Sequence, residues 1–216
     1  ITYKAVIEQQ KIQYISQGAK PEDHLTNIQK VCEAGIRWVQ LRIKDVDFET
    51  YLQIAKESKK ICEAYSAVFI VNDNVSIAKE SEANGVHLGL SDMNPKDARS
   101  ILGDHSIIGG TANTLQDCLL QAENKVDYIG LGPFRHTETK KNLSPVLGLE
   151  GYRKILTELR ASACQIPVIA IGGILESDIK NLMENYVSGI AVSKLLTQNL
   201  NLKTTVDYIQ ALLKKA

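Results

Sequence analysis

The chain has 216 residues, 44% of them hydrophobic and 23% charged, with 25 Lys plus Arg balanced by 25 Asp plus Glu. That length suits one barrel or one open α/β domain. The zero net charge, with no block of one sign, excludes a bulk phosphate-tracking surface for nucleic acid, and no stretch approaches the roughly 18 consecutive apolar residues of a membrane span.

The opening residues ITYKAVIEQQ have neither a basic n-region nor an apolar h-region, so no signal peptide is expected there; residues 1–10 read as an N-terminal extension. Beyond them, apolar β-rich runs alternate with helical patterns. Strands are expected at Lys11–Ser16, Arg37–Arg42, Ala67–Asn72, Gly85–Leu88, Ser106–Gly109, Asp127–Leu131, Pro167–Ile171 and Ser188–Val192. Several are almost continuously apolar, as strands covered on both faces must be. Between them, Pro21 with Glu22 and Asp23 opens a helix to Ala34, closed by Gly35. Apolar residues at helical spacing then mark Asp47–Ala64, and a short helix follows at Ser76–Glu82. Asn94-Pro95 starts one that runs to Leu102, and Thr114–Glu123, Leu149–Leu159, Glu176–Glu184 and Leu202–Lys215 complete the set, with Thr114 and Ser177 as N-cap candidates. A strand recurs roughly every 20–30 residues, with longer steps after the second and sixth. The expectation is a single (β/α)8 TIM barrel spanning residues 1–216, with a doubly wound open sheet as the alternative. No GxGxxG follows the first strand, which leaves dinucleotide binding unsupported.

Cys32, Cys62, Cys118 and Cys164 show no CxxC or Cys/His spacing. They read as structural thiols of a protein working in a reducing cytoplasm.

In such a barrel the C-terminal strand ends share one mouth, so the chemistry should stand there. Gln40, Arg42 and Lys44 alternate along the end of the second strand and, if the strand stays extended, form a ladder of donors suited to an anion. The third strand ends in Asn72-Asp73 and the fourth empties into Asp92. Two carboxylates at adjacent strand ends suit Mg²⁺, which keeps positions for water and phosphate oxygens. Read alone, both could equally be turn or capping residues. The fifth strand ends in small residues around Thr111, and the sixth breaks at Gly132-Pro133 into a loop bearing His136, Thr137, Thr139, Lys140 and Lys141. Gly172-Gly173 after the seventh strand and the Ser193-Lys194 turn after the eighth correspond to the phosphate cradle of many barrels. One mouth with two anion sites suggests the joining of two phosphorylated small molecules.

The motifs QLRIK, VND, GVHLGLSD, IIGGTANT, DYIGLGPFRHTETKK, IPVIAIGGI and GIAVS, in this order, resemble the thiamine phosphate synthase family over nearly the whole chain from about Lys11. The resemblance implies a Mg²⁺-assisted transferase. It would couple 4-amino-2-methyl-5-hydroxymethylpyrimidine diphosphate to 4-methyl-5-(2-phosphooxyethyl)thiazole, with loss of diphosphate. It further implies that Gln40, Leu41, Arg42, Ile43, Lys44, Asn72, Thr111 and Lys140 meet the pyrimidine diphosphate. Arg42, Lys44 and Lys140 would act on the leaving group, Asp73 and Asp92 would hold Mg²⁺, and Thr137, Glu138, Thr139, Gly173, Ser193 and Lys194 would take the thiazole phosphate. The chain departs from the family at Leu90 and Asn74, where Gln and Arg are frequent, at Thr111, where Ser is common, and at Lys194, where a small residue is usual.

Two alternatives share the barrel. A thiazole tautomerase would move a proton and have no use for the carboxylates and cations, and Asn113 stands where an acid–base His would suit it. A barrel that only binds thiamine phosphate would not need the full set either. His87 reads as a core histidine or a ring stacked at the site. The loop from Gly132 to about Leu147 is long enough to fold over both substrates as a lid.

Overall fold

The computed structural model describes residues 3–136 and 144–214. Within them the eight expected strands form a closed parallel barrel in chain order, each pairing with the next and β8 returning to β1. The strands are β1 (Ile12–Ile15), β2 (Trp38–Leu41), β3 (Val68–Asn72), β4 (Gly85–Leu88), β5 (Ile107–Ala112), β6 (Tyr128–Leu131), β7 (Val168–Ile171) and β8 (Gly189–Val192). Around them lie α2 (Pro21–Glu33), α3 (Phe48–Ala64), α4 (Val75–Glu80), α5 (Pro95–Leu102), α6 (Leu115–Glu123), α7 (Gly148–Ala161), α8 (Glu176–Met183) and α10 (Leu202–Lys214), with α1 (Tyr3–Gln10) ahead of β1 and a short α9 (Lys194–Thr197) after β8.

The alternation of each strand divides the apolar residues into two cores. One set, including Val39, Leu41, Phe69, Val71, Ile129 and Leu131, packs outward against the helices. The other fills the barrel: Ile15, Trp38, Val68, Ile70, Ile107, Tyr128, Ile169 and Ala191. Residues 3–10 therefore form more than an extension. Ile7 of α1 is 5% exposed and joins the inner set, so this helix covers the barrel floor that the strands leave open.

Helix ends follow the expected chemistry with one correction, and one strand runs longer than expected. Asp47, Asn74, Asn94 and Thr114 cap their helices by accepting backbone N–H groups, Thr114 in a reciprocal box with Asp117. At α8 the N-cap is Leu175 rather than Ser177, and Asp178 accepts the Leu175 N–H at 2.8 Å. The β5 strand runs on to Ala112 instead of stopping at Gly109. The Gly109-Gly110 pair lies within the strand, and neighbours occupy the space that side chains would take. A Cβ on Gly109 would lie 2.5 Å from both His87 Nδ1 and the Tyr128 hydroxyl, and one on Gly110 would lie 2.5 Å from Gln121 Cδ.

Gly109→Ala therefore overpacks the barrel interior. Equilibrium urea unfolding should show a loss of about 1–3 kcal/mol. A stability equal to that of the parent would contradict this packing.

Candidate active site

The site is the mouth formed by the C-terminal ends of the strands. On the β2–β4 side the paired part of β2 ends at Leu41, and the chain bends at Asp45, whose φ is 59°. Gln40 faces into the barrel at 2% exposure, with one amide N–H donated to Gln13 Oε1 at 3.1 Å. Arg42 is half-buried at the rim, its backbone N–H held by Ser16 Oγ at 3.0 Å. Leu41 and Ile43 bury their side chains in the sheet–helix core, so a ligand could meet only their backbone. The Tyr51 hydroxyl stands 3.0 Å from the Leu41 carbonyl and 2.9 Å from that of Asn72, tying the ends of β2 and β3 together.

Lys44, exposed, forms an ion pair with Asp73. Asp73 follows the last residue of β3 in the left-handed region at φ 65°, where a non-glycine residue carries strain, and its N–H donates to the His87 carbonyl at 2.8 Å. Its carboxyl faces that of Asp92 closely enough for each to shift the other's ionisation. Asp92 in turn accepts the Gly89 N–H at 2.6 Å, while Asn94 takes the helix-capping role that Asp92 might have filled. Burial resists ionisation of Asp73, but Lys44 and the facing Asp92 outweigh it and hold the carboxyl below its usual range. Partial desolvation, opposed by the Gly89 N–H and reinforced by the Asp73 charge, pushes Asp92 up. Two facing carboxylates beside an ammonium repel each other, and a divalent cation held between them would relieve that repulsion. The donor set thus fits Mg²⁺, with the remaining positions left to water and phosphate. Among the described residues no group of three or more His, Cys, Asp or Glu converges on such a point.

Asn72 is the inward-facing last residue of β3, 6% exposed, and Thr111 lies half-buried at the end of β5 with Oγ1 3.0 Å from His87 Nε2. His87 is a satisfied core histidine, its other nitrogen 3.0 Å from the Tyr128 hydroxyl.

Across the mouth, Gly172 and Gly173 take φ 97° and 66°. Gly173 has no room for a side chain: a Cβ there would sit 3.0 Å from Arg135 Cβ and 3.1 Å from the His136 carbonyl. Ser193 follows β8, half-buried, as the residue before α9, its carbonyl accepting the Leu196 and Thr197 N–H groups; Lys194 is exposed. Thr137, Glu138, Thr139 and Lys140 lie outside the described residues, as does the middle of the expected lid.

Three anchoring groups escaped the sequence reading. Arg135 donates to the Gly173 carbonyl at 2.5 Å and clasps Asp178 through both nitrogens at 2.8 and 3.0 Å, fastening the loop after β6 to the glycine turn after β7. Asn113 sends its buried amide to the carbonyls of Gly132 at 2.8 Å and Pro145 at 3.0 Å, gripping both arms of the β6–α7 loop. The position where a tautomerase would want a base is thus a structural clamp. His24, 5% exposed, pairs its Nδ1 with Ser16 Oγ at 2.7 Å, behind the hydroxyl that holds the Arg42 backbone. A hydroxyl and a His eight residues apart offer little sequence signal; Asp178 was legible only as a first-turn acid.

Burial depresses the His24 pKa from 6.5 to about 4, and nearby Asp23 only partly opposes it. The unfolded chain therefore takes up a proton that the folded chain refuses. The stability contribution of neutral His24 is complete above pH 6.5 and is lost as pH falls toward 4. The drop in urea midpoint between pH 7.5 and pH 5 should accordingly be smaller in His24→Gln than in the parent; equal drops would contradict the assignment.

With this geometry in place, comparison with known proteins is direct. The family described as thiamine monophosphate synthase matches residues 12–196. A thiamine-phosphate synthase of Flavobacterium psychrophilum is 49% identical over 191 residues, covering 88% of this chain and 93% of that protein. One from Bacteroides fragilis is 46% identical over 187 residues, covering 87% and 92%. The solved structure of a thiamine phosphate pyrophosphorylase from Pyrococcus furiosus superposes with a TM-score of 0.83 at 27% identity, covering 97% of this chain and 98% of its own. The chain belongs to the thiamine monophosphate synthase family.

Proposed function

We propose that the mouth couples hydroxymethylpyrimidine diphosphate to thiazole phosphate, producing thiamine phosphate and diphosphate. The observation that carries this reading is the division of the mouth. Lys44, Arg42, Asp73 and Asp92 gather at β2–β4, while the Gly173 turn and Ser193 stand at β7–β8. Thr137, Glu138, Thr139 and Lys140 fall between β6 and α7 in the sequence, and the family resemblance assigns them to both sides.

The electron-rich pyrimidine ring lets its CH₂–O bond break before attack. Negative charge then builds on the departing diphosphate, and Arg42, Lys44 and Lys140 stabilise it while the neutral thiazole nitrogen attacks the CH₂ carbon. Asp73 and Asp92 would hold Mg²⁺, whose charge would neutralise the diphosphate when bound. Gln40, Asn72 and Thr111 orient the pyrimidine from below, alongside the backbone at Leu41 and Ile43. Gly173, Ser193 and Lys194 receive the thiazole phosphate with Thr137 and Thr139. No protein nucleophile is required, and the cysteines are not used: Cys32, Cys62 and Cys118 are buried and all four are free thiols, in keeping with a reducing cytoplasm. No helix among the described residues is long and apolar enough to cross a membrane.

The test is a coupled assay with both phosphorylated substrates. Product should form only with Mg²⁺, stop on chelation and resume on re-addition. Lys44→Met should lower kcat by ~10²–10³ with little change in fold. Turnover indifferent to chelator and to Lys44 would overturn this chemistry.

A further inference from the structure

Beneath the mouth, five side chains cross the barrel interior in a continuous hydrogen-bonded line: Gln40, Gln13, Tyr128, His87 and Thr111. Donor bookkeeping gives this line a direction. Gln40 Nε2 donates to Gln13 Oε1 at 3.1 Å, and Gln13 Nε2 donates to the Tyr128 hydroxyl at 3.2 Å. A phenol that accepts there has its single proton to give elsewhere, and His87 Nδ1 stands 3.0 Å away. If Nδ1 accepts that proton it carries none of its own, and a neutral His87 then has its hydrogen on Nε2, 3.0 Å from Thr111 Oγ1. The Thr111 oxygen would in that case accept from below and turn its own proton up into the mouth.

The barrel is cut to fit this line. A Cβ on Gly109 would lie 2.5 Å from His87 Nδ1 and from the Tyr128 hydroxyl, and one on Gly130 would lie 3.0 Å from His87 Cε1. The Tyr128 ring is wedged edge-on against Trp38, with centroids 5.0 Å apart at 86°, and stacks on His87 at 5.5 Å and 30°. Complete burial pushes the phenol well up, so Tyr128 keeps its proton at every working pH.

We infer that Tyr128 is a positioning residue which, through His87, holds the Thr111 hydroxyl as a hydrogen-bond donor toward a lone-pair-bearing atom of the substrate. This rests on Thr111 meeting the pyrimidine diphosphate. Without the Tyr128 proton the line can run backward, with Thr111 donating to His87 Nε2 and its oxygen lone pairs facing the substrate instead.

The experiment combines a tautomer measurement with a mutant cycle. Long-range ¹H–¹⁵N correlation on protein labelled at histidine, with His87 assigned by its loss in His87→Asn, should show the Nε2–H tautomer in the substrate-free parent and a tautomer mixture in Tyr128→Phe. The chain has one tryptophan, so unchanged Trp38 emission in Tyr128→Phe reports that the ring still packs. Losing one oriented hydrogen bond should lower kcat/KM for the pyrimidine diphosphate by about tenfold in Tyr128→Phe. The same change should cost nothing further in a Thr111→Val background. An Nδ1–H tautomer in the parent, or equal costs in both backgrounds, would overturn the relay. Parental kinetics in Thr111→Val would overturn the substrate contact itself, a failure visible separately from the tautomer, and would remove the catalytic role of Tyr128 with it.

Discussion

A parallel barrel closed by eight strands encloses a space that water cannot usefully fill, and its own side chains must fill it. Here the lower part is filled apolar, with Trp38, Ile70, Ile107 and Ile169 above the plug of Ile7. The upper part is filled polar. Gln13, Gln40, Tyr128 and His87 occupy it with their hydrogen bonds made to one another. Burying four such groups is tolerable only because each finds a partner; one left unsatisfied would cost roughly 1–3 kcal/mol. The mouth residues rest on this satisfied layer. Thr111 leans on His87, Asp73 hangs from the His87 carbonyl, and Gln40 shares its amide with the floor of the site.

The same dependence explains what could be read from the chain beforehand. Strand positions and their cyclic order followed from apolar runs and their spacing, since every strand of this barrel is covered on both faces. Helix ends were legible where a capping side chain acts locally, as at Asp47 and Thr114. The misreadings share a cause, which is information held by distant residues. The fifth strand looks finished at Gly109 until Tyr128 and Gln121 are seen to occupy the volume beside Gly109-Gly110. Residues 3–10 look like an overhang until Ile7 meets the open end of the barrel. The α9 turn is four residues long and too short to show a period.

At the site, charged residues at strand ends were legible because the barrel sends them to one face. Their supports were not. Gln13, His24, Asn113 and Arg135 act through pairings across the chain, and nothing in their local sequence names the partner. Arg135 reaches Asp178 from 43 positions away, and Gln13 reaches Tyr128 from 115. Lys44 lies beyond the paired part of β2, which ends at Leu41, and its ammonium meets Asp73 at the end of β3.

The Asn113 amide has an implication for how the loop is held. One side chain, on the residue that follows β5, binds the carbonyls of Gly132 and Pro145, and backbone bonds from Leu147 to Pro133 and from Gly148 to Phe134 close the same neck. The two described ends of the β6–α7 connection therefore meet at one junction, and the amide that holds them belongs to neither end. Where this loop begins and ends is decided in part by the strand beside it.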